Sequence, residues 1–295
     1  MRPILSRVLR QASPPEPIAA GTYHYQAPAE AAIPYRLHLR VDEKGDGLLI
    51  VNASTILHLN ATATAHAYEV VRGASAKEGA TAIAQRYRVA KRQARADHEQ
   101  LRQKLTAIAT APDVDPVLYY GLERAEPYTL PTSAPFRLDL ALTYAMDPDG
   151  ALDPLARRRV DRELTTVEWK QVLDKAWQAG IPHVTFTGGE PTRREDLVKL
   201  IAHAESLGQV AGLVTQGRRL SDPSFMARLE QAGLDHLLIV LEPSDASSMS
   251  GLRNALASEV YAAAHLTLSH EDWQGKIGLL AQLREQGLGA ISISA

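Results

Sequence analysis

Gly188, Gly189, Glu190 and Pro191 follow a short β-patterned run at 184–187. Two glycines let a backbone approach a bound molecule closely, and a carboxylate can accept from an amine. Together they read as a small-molecule cradle, although the same tetrapeptide alone would serve as a turn before a helix. Thr215 ends the next apolar run, and Gly217-Arg218-Arg219 comes straight after it. A basic pair there sits where parallel α/β folds place their sites, just past a strand's C-terminal end.

Other chemistries are excluded or disfavoured. The 295 residues contain no cysteine, which removes disulfides, thiolate zinc, a cysteine nucleophile and all-thiolate clusters together. The ten histidines are scattered, with no HExxH and no paired spacing on a helix face, so no metal ligand set is expected. His265 and His270 read as surface or core residues. There is no GxSxG elbow, no GxGxxG and no phosphate loop. Arg157, Arg158 and Arg159, with Asp161 and Arg162, read as a solvated charged loop. A net charge of −2 gives no general reason to bind nucleic acid. No apolar run approaches the roughly 20 residues of a membrane span. Residues 1–10 are weakly amphipathic but lack a signal peptide's pattern, and a cytoplasmic protein is expected.

The elements that position these residues fall into two groups. Residues 1–33 are rich in Pro and Ala and read as an extended tether. Strand-period alternation begins at 35–41, followed by a turn at 43–47 and two short strands at 48–51 and 56–59. Helices are expected near 61–72, 75–87 and 91–108, which suggests a small winged-helix-like α+β domain over 34–110. Residues 111–134 hold a proline-rich linker. From 135 to 295, strand and helix alternate: strands at 136–142, 183–187, 210–214, 236–241, 262–268 and 290–294. The helices between them are expected at 165–179, 194–206, 223–231, 251–257 and 272–286. Thr165 with Glu168 forms a capping box at the first of these. Six strands alternating with helices call for a parallel sheet with right-handed crossovers. Periodicity alone does not say whether it lies open or curls into a partial (β/α)6 barrel.

The C-terminal part, residues 135–295, resembles a radical-SAM domain. The likeness rests on Phe136 to Tyr144, on Val184-Thr185-Phe186-Thr187 with the Gly-Gly-Glu-Pro that follows, on Leu213 to Gly217 and on Leu241-Glu242. In that family the Gly-Gly-Glu-Pro loop lies against the amino group of S-adenosylmethionine, which implies a cofactor site at Gly188, Gly189, Glu190, Pro191 and Thr215. The family's three cluster cysteines would fall on Met146, Gly150 and Asp153, none of them a thiolate. Pro243 stands where serine is common, and the stretch after Leu241 looks shortened.

Residues 34–110 resemble PqqD-like domains, which hold precursor peptides. The likeness rests on Gly47 to Asn52, Ile56 to Thr62, and Tyr87, Asp97 and Leu101. It implies that an extended leader peptide pairs with the strand Ile56, Leu57, His58, Leu59 beside the helix carrying Lys91, Arg92, Arg95 and Arg102. An acidic leader would suit that helix.

The resulting expectation is an α/β protein with a partial (β/α)6 barrel, preceded by the small domain. It would act as a non-catalytic peptide-binding partner, with no catalytic residue and no iron–sulfur cluster. A second reading is an S-adenosylmethionine-binding enzyme or sensor that works without a cluster. A third is a structural subunit paired with an active radical-SAM enzyme.

Overall fold

The computed structural model describes residues 18–28, 31, 33, 35–52, 54–111, 132–146, 161–268 and 273–294, with no account of the side chains of 273–277. The chain divides into two compact units, residues 1–131 and 132–295.

In the first unit four strands form an antiparallel meander in the order β1-β2-β3-β4. They are β1 (Gly21–Gln26), β2 (Arg36–Val41), β3 (Gly47–Val51) and β4 (Thr55–Leu59). The strand β1 corrects the expected tether at 1–33. Its run of six residues contains no proline, and Tyr23 and Tyr25 both pack on the core. The Tyr23 ring meets that of Tyr68 edge-on at 4.9 Å. Three helices follow, α1 (Ala61–Val71), α2 (Ala76–Tyr87) and α3 (Lys91–Thr110). Ser75 and Glu78 close a capping box at α2, and Asn60 caps α1. Leu37, Leu39, Leu49, Ile83 and Leu105 lie in the shared core. The edge strand β4 pairs only with β3 among the described residues, leaving its other side open.

The second unit is a six-stranded parallel sheet. Its strands are β5 (Arg137–Thr143), β6 (His183–Gly188), β7 (Val210–Thr215), β8 (His236–Val240), β9 (Tyr261–Thr267) and β10 (Ala290–Ser294). The helices between them are α4 (Thr166–Gln178), α5 (Leu197–Leu207), α6 (Pro223–Gln231), α7 (Ala246–Leu256) and α8 (Trp273–Glu285). The strands run in sequence order without reversal. Right-handed crossovers taken always in one direction place every helix on one face, the winding of a (β/α) barrel rather than of a doubly wound sheet.

Burial follows that winding. Leu140, Leu142, Val184, Phe186, Ala211, Leu213, Leu237, Ile239, Ala264 and Leu266 alternate along their strands and join α4–α7 in one core. The intervening residues, among them Asp139, His183, Gly212, His236 and His265, occupy the opposite face. The capping box of Thr165 and Glu168 is present, and Arg162 grips the same Glu168 carboxylate through two nitrogens at 2.5 and 2.8 Å. The helix expected at 251–257 begins at Ala246 instead. Asp245 caps it by accepting from Ser247 and Ser248 N–H, so the stretch after Leu241 is not missing its helix. No helix among the described residues is long and apolar enough to cross a membrane.

Candidate active site

The end of β6 and the end of β5 are zipped together. Gly189 N–H donates to the Thr143 carbonyl and Glu190 N–H to the Ala145 carbonyl, both at 2.7 Å. This approach is why two glycines stand here. Gly188 has φ +125°, and a Cβ on it would collide with the Thr143 carbonyl; one on Gly189 would strike that of Ala145.

Glu190 is 1% exposed. Its Oε1 accepts from Thr192 N–H at 3.0 Å, Thr192 Oγ1 at 2.6 Å and Thr215 Oγ1 at 2.7 Å. Its Oε2 accepts from Gln216 N–H at 2.7 Å. Thr215 Oγ1 accepts in turn from Gly217 N–H at 3.0 Å. The carboxylate thus pins the end of β7 to the short 3-10 turn Pro191–Arg193. Its acceptors are engaged by the protein's own donors, so Glu190 and Thr215 act on the loop's shape. Of the four loop residues, Gly188 is the one most open to solvent.

A second network holds the other side of the β5 end. Glu163 Oε1 accepts from Thr143 Oγ1 at 2.6 Å and from Tyr144 N–H at 3.1 Å. Arg194 donates to the carbonyls of Leu142 and Leu164 at 3.0 and 3.1 Å and grips Asp196 through two nitrogens at 2.9 and 2.8 Å. Hydrogen bonding from Arg194 holds the Asp196 carboxyl below its ordinary range. Thr143, Glu163, Arg194 and Asp196, with Ala145, Arg193 and Glu195, line a cavity of about 400 Å³. A second, of about 160 Å³, lies at the ends of β7, β8 and β9 against Gln216, Arg218, Val240, Leu241, Glu242 and Thr267.

The basic pair serves the scaffold. Arg218 pairs with Asp245 at 2.5 Å and also donates to the Gln216 side chain. Arg219 donates to the Thr192 carbonyl and stacks on the Phe225 ring at 4.4 Å. The bonds to Asp245 and to the Thr192 carbonyl each join residues 27 positions apart, so no local pattern marked them. Sequence reasoning also missed Glu163 and Arg194; both flank the β5 end, but no motif marks them.

In the first unit Ile56, Leu57 and Leu59 are half-buried and His58 exposed along β4. Lys91, Arg92 and Arg95 are exposed on α3, and Arg102 is half-buried, 4.0 Å from Glu99. Gly150, Asp153, Arg157, Arg158, Arg159, His270 and the amphipathic residues 1–10 lie outside the described residues. Met146 is described and partly exposed. Among the described residues no group of three or more His, Asp or Glu side chains converges as a metal site.

Residues 144–254 match the model of the Radical SAM superfamily. A relative named PqqA peptide cyclase, from Gluconobacter oxydans, is 34% identical over 56% of this chain and 50% of its own length. Another of the same name, from Xanthomonas campestris pv. campestris, is 34% identical over 38% of this chain and 31% of its own. The chain therefore matches half or less of these relatives' length. Among solved structures, Streptococcus suis SuiB bound to precursor peptide SuiA superposes with a TM-score of 0.54 at 14% identity, covering 86% of this chain and 61% of that one. SuiB bound to S-adenosylmethionine gives 0.54 at 14%, covering 92% and 63%. Residues 144–254 carry the likeness to the Radical SAM superfamily, and the six-stranded parallel α/β architecture is shared with SuiB.

They correct two expectations. The relatives carry the name of an enzyme that acts on a peptide, which overturns the reading of a non-catalytic partner. The match to a superfamily that uses S-adenosylmethionine and an iron–sulfur cluster overturns the expectation of no cofactor and no cluster, in which S-adenosylmethionine is only a second reading. What stands is narrower. These 295 residues contain no cysteine, so they do not themselves offer thiolates to a cluster.

Proposed function

We propose that the protein takes part in the radical-SAM modification of a peptide, together with a second polypeptide that supplies the cluster thiolates. The observation that carries this is the loop Gly188–Pro191. It is built and fully hydrogen-bonded at the strand ends, in a chain that lacks every cluster cysteine. In this reading the main chain of Gly188 and Gly189 meets the amino-acid end of S-adenosylmethionine, while Glu190, Pro191 and Thr215 hold that main chain in place.

The first unit is read as a PqqD-like peptide-recognition domain that extends from β1 through α3. Its open edge β4 offers main-chain donors and acceptors to an extended peptide, with pockets for alternate side chains. Lys91, Arg92, Arg95 and Arg102 suit an acidic leader.

Calorimetry tests both halves. The full chain is titrated with S-adenosylmethionine, and separately with short precursor peptides encoded beside its gene. It is then mixed with a cluster-loaded radical-SAM enzyme from the same locus, and peptide modification is followed by mass spectrometry. Faster or newly gained modification in the mixture supports the proposal. A modification rate independent of this chain overturns it.

A further inference from the structure

At the opposite ends of the strands, away from the Gly188–Pro191 loop, two histidines converge. His183 opens β6 and His236 opens β8, with β7 between them. Their Nε2 atoms are 3.2 Å apart, with ring centroids at 4.8 Å and planes at 73°. The rings meet above Gly212 of β7, which is paired directly with His236. A Cβ on Gly212 would run into the His236 Nε2, so the missing side chain is what makes room for the pair.

Two imidazole nitrogens that each sit ~2.0–2.1 Å from one tetrahedral ion are about 3.3 Å apart. The observed spacing matches that bite. Both side chains are half-buried, and a neutral ring nitrogen is the form that ligates. Arg137 and Asp139 of β5 are the charges that act on His183, Arg137 lying across from it and bonded to Asp139 at 2.6 Å. On the other side Tyr261 of β9 lies across from His236 and is exposed.

We infer that His183 and His236 form a two-imidazole site for a first-row transition-metal ion, with water completing its shell, that clips β6 to β8 across Gly212. Without the ion the pair shares one proton. With it, the ring that donated the proton carries it on Nδ1 instead. Imidazole ligation and the general affinity order make Cu2+ the tightest probe, with Zn2+ and Ni2+ weaker.

The full chain is titrated with Cu2+ alone, followed by calorimetry and electron paramagnetic resonance. The expected result is a first equivalent bound at least tenfold more tightly than later ones, with two-nitrogen hyperfine structure, and lost in His183→Gln and in His236→Gln. Should either variant fail to fold, the wild-type chain answers alone: Cu2+ should protect His183 and His236 from diethyl pyrocarbonate, read peptide by peptide. An unchanged first equivalent in both folded variants, or no protection at these two residues, overturns the inference.

Discussion

Thr215 Oγ1 donates to Glu190 Oε1 at 2.7 Å, with both side chains buried, and so joins the end of β7 to the turn that follows β6. The bond is one of four made to a single carboxylate. Glu190→Gln turns an NH2 donor toward one of those donors, and leaving a buried donor unmet costs about 1–3 kcal/mol. Thr215→Val should cost less than Glu190→Gln. The double variant should fall short of the sum, because the two share one network. Urea unfolding midpoints measure this, and additive losses would show that the bond does not couple the two residues.

Arg194 ties three segments together, meeting the carbonyls of Leu142 and Leu164 and the Asp196 carboxylate. Lysine cannot reproduce that planar fork. Arg194→Lys should lower stability by about 2 kcal/mol through the lost charge-assisted bonds. Hydrogen exchange should rise at the N–H groups of Tyr144 and Gly189. Unchanged exchange there would place the loss elsewhere.

Acid should weaken the fold in two stages. Burial lowers His66, His98, His183 and His236, the third to about 4 from 6.5. The unfolded chain therefore binds more protons than the folded one as pH falls below 6.5. Their contribution is complete above pH 6.5 and is lost as pH falls below it, for His183 down to about 4. Glu168, held at about 2 by its hydrogen bonds from Arg162 and Thr165, adds a loss only between 4.5 and 2. Thermal midpoints across pH 8 to 3 should be flat, then fall below 6.5. His66→Gln or His183→Gln should shallow that first slope, and a midpoint that rises on acidification would refute the assignment.

Peptide binding at β4 and α3 should depend on salt and charge. Reversing Lys91, Arg92 and Arg95 to Glu, all three exposed, should leave the fold intact. It should also weaken an acidic peptide at least tenfold, by an amount that shrinks as salt rises. Calorimetry at two ionic strengths reads this directly. Equal affinity for wild type and triple variant would remove α3 from the peptide surface.

Liganded stability is a separate check. S-adenosylmethionine at a hundred times its dissociation constant should stabilise the chain by about 2.7 kcal/mol. Gly188→Ala should abolish that gain, because its positive φ and the nearby Thr143 carbonyl leave no room for a methyl group. A preserved shift in a folded Gly188→Ala chain would move the ligand away from this loop.

The alternation of apolar residues was enough to place all six strands of the second unit and the capping box of Thr165 and Glu168, because period and caps are local properties. The two adjacent glycines marked Gly188 to Pro191 as a place of close approach. Alternation did not reveal β1, where flanking prolines masked a short strand that Tyr23 and Tyr25 anchor only once the helices are in place. It placed the start of α7 too late, since Asp245 becomes a cap only once it accepts from the Ser247 and Ser248 N–H groups.

What tertiary structure alone decided are the partnerships. Strand order, and with it the single direction of winding, depends on long-range pairing that no local period encodes. The glycines meet the end of β5, and Glu190 meets Thr215 across 25 residues. His183 meets His236 across 53, over a glycine whose lack of a side chain carries meaning only when three strands lie side by side.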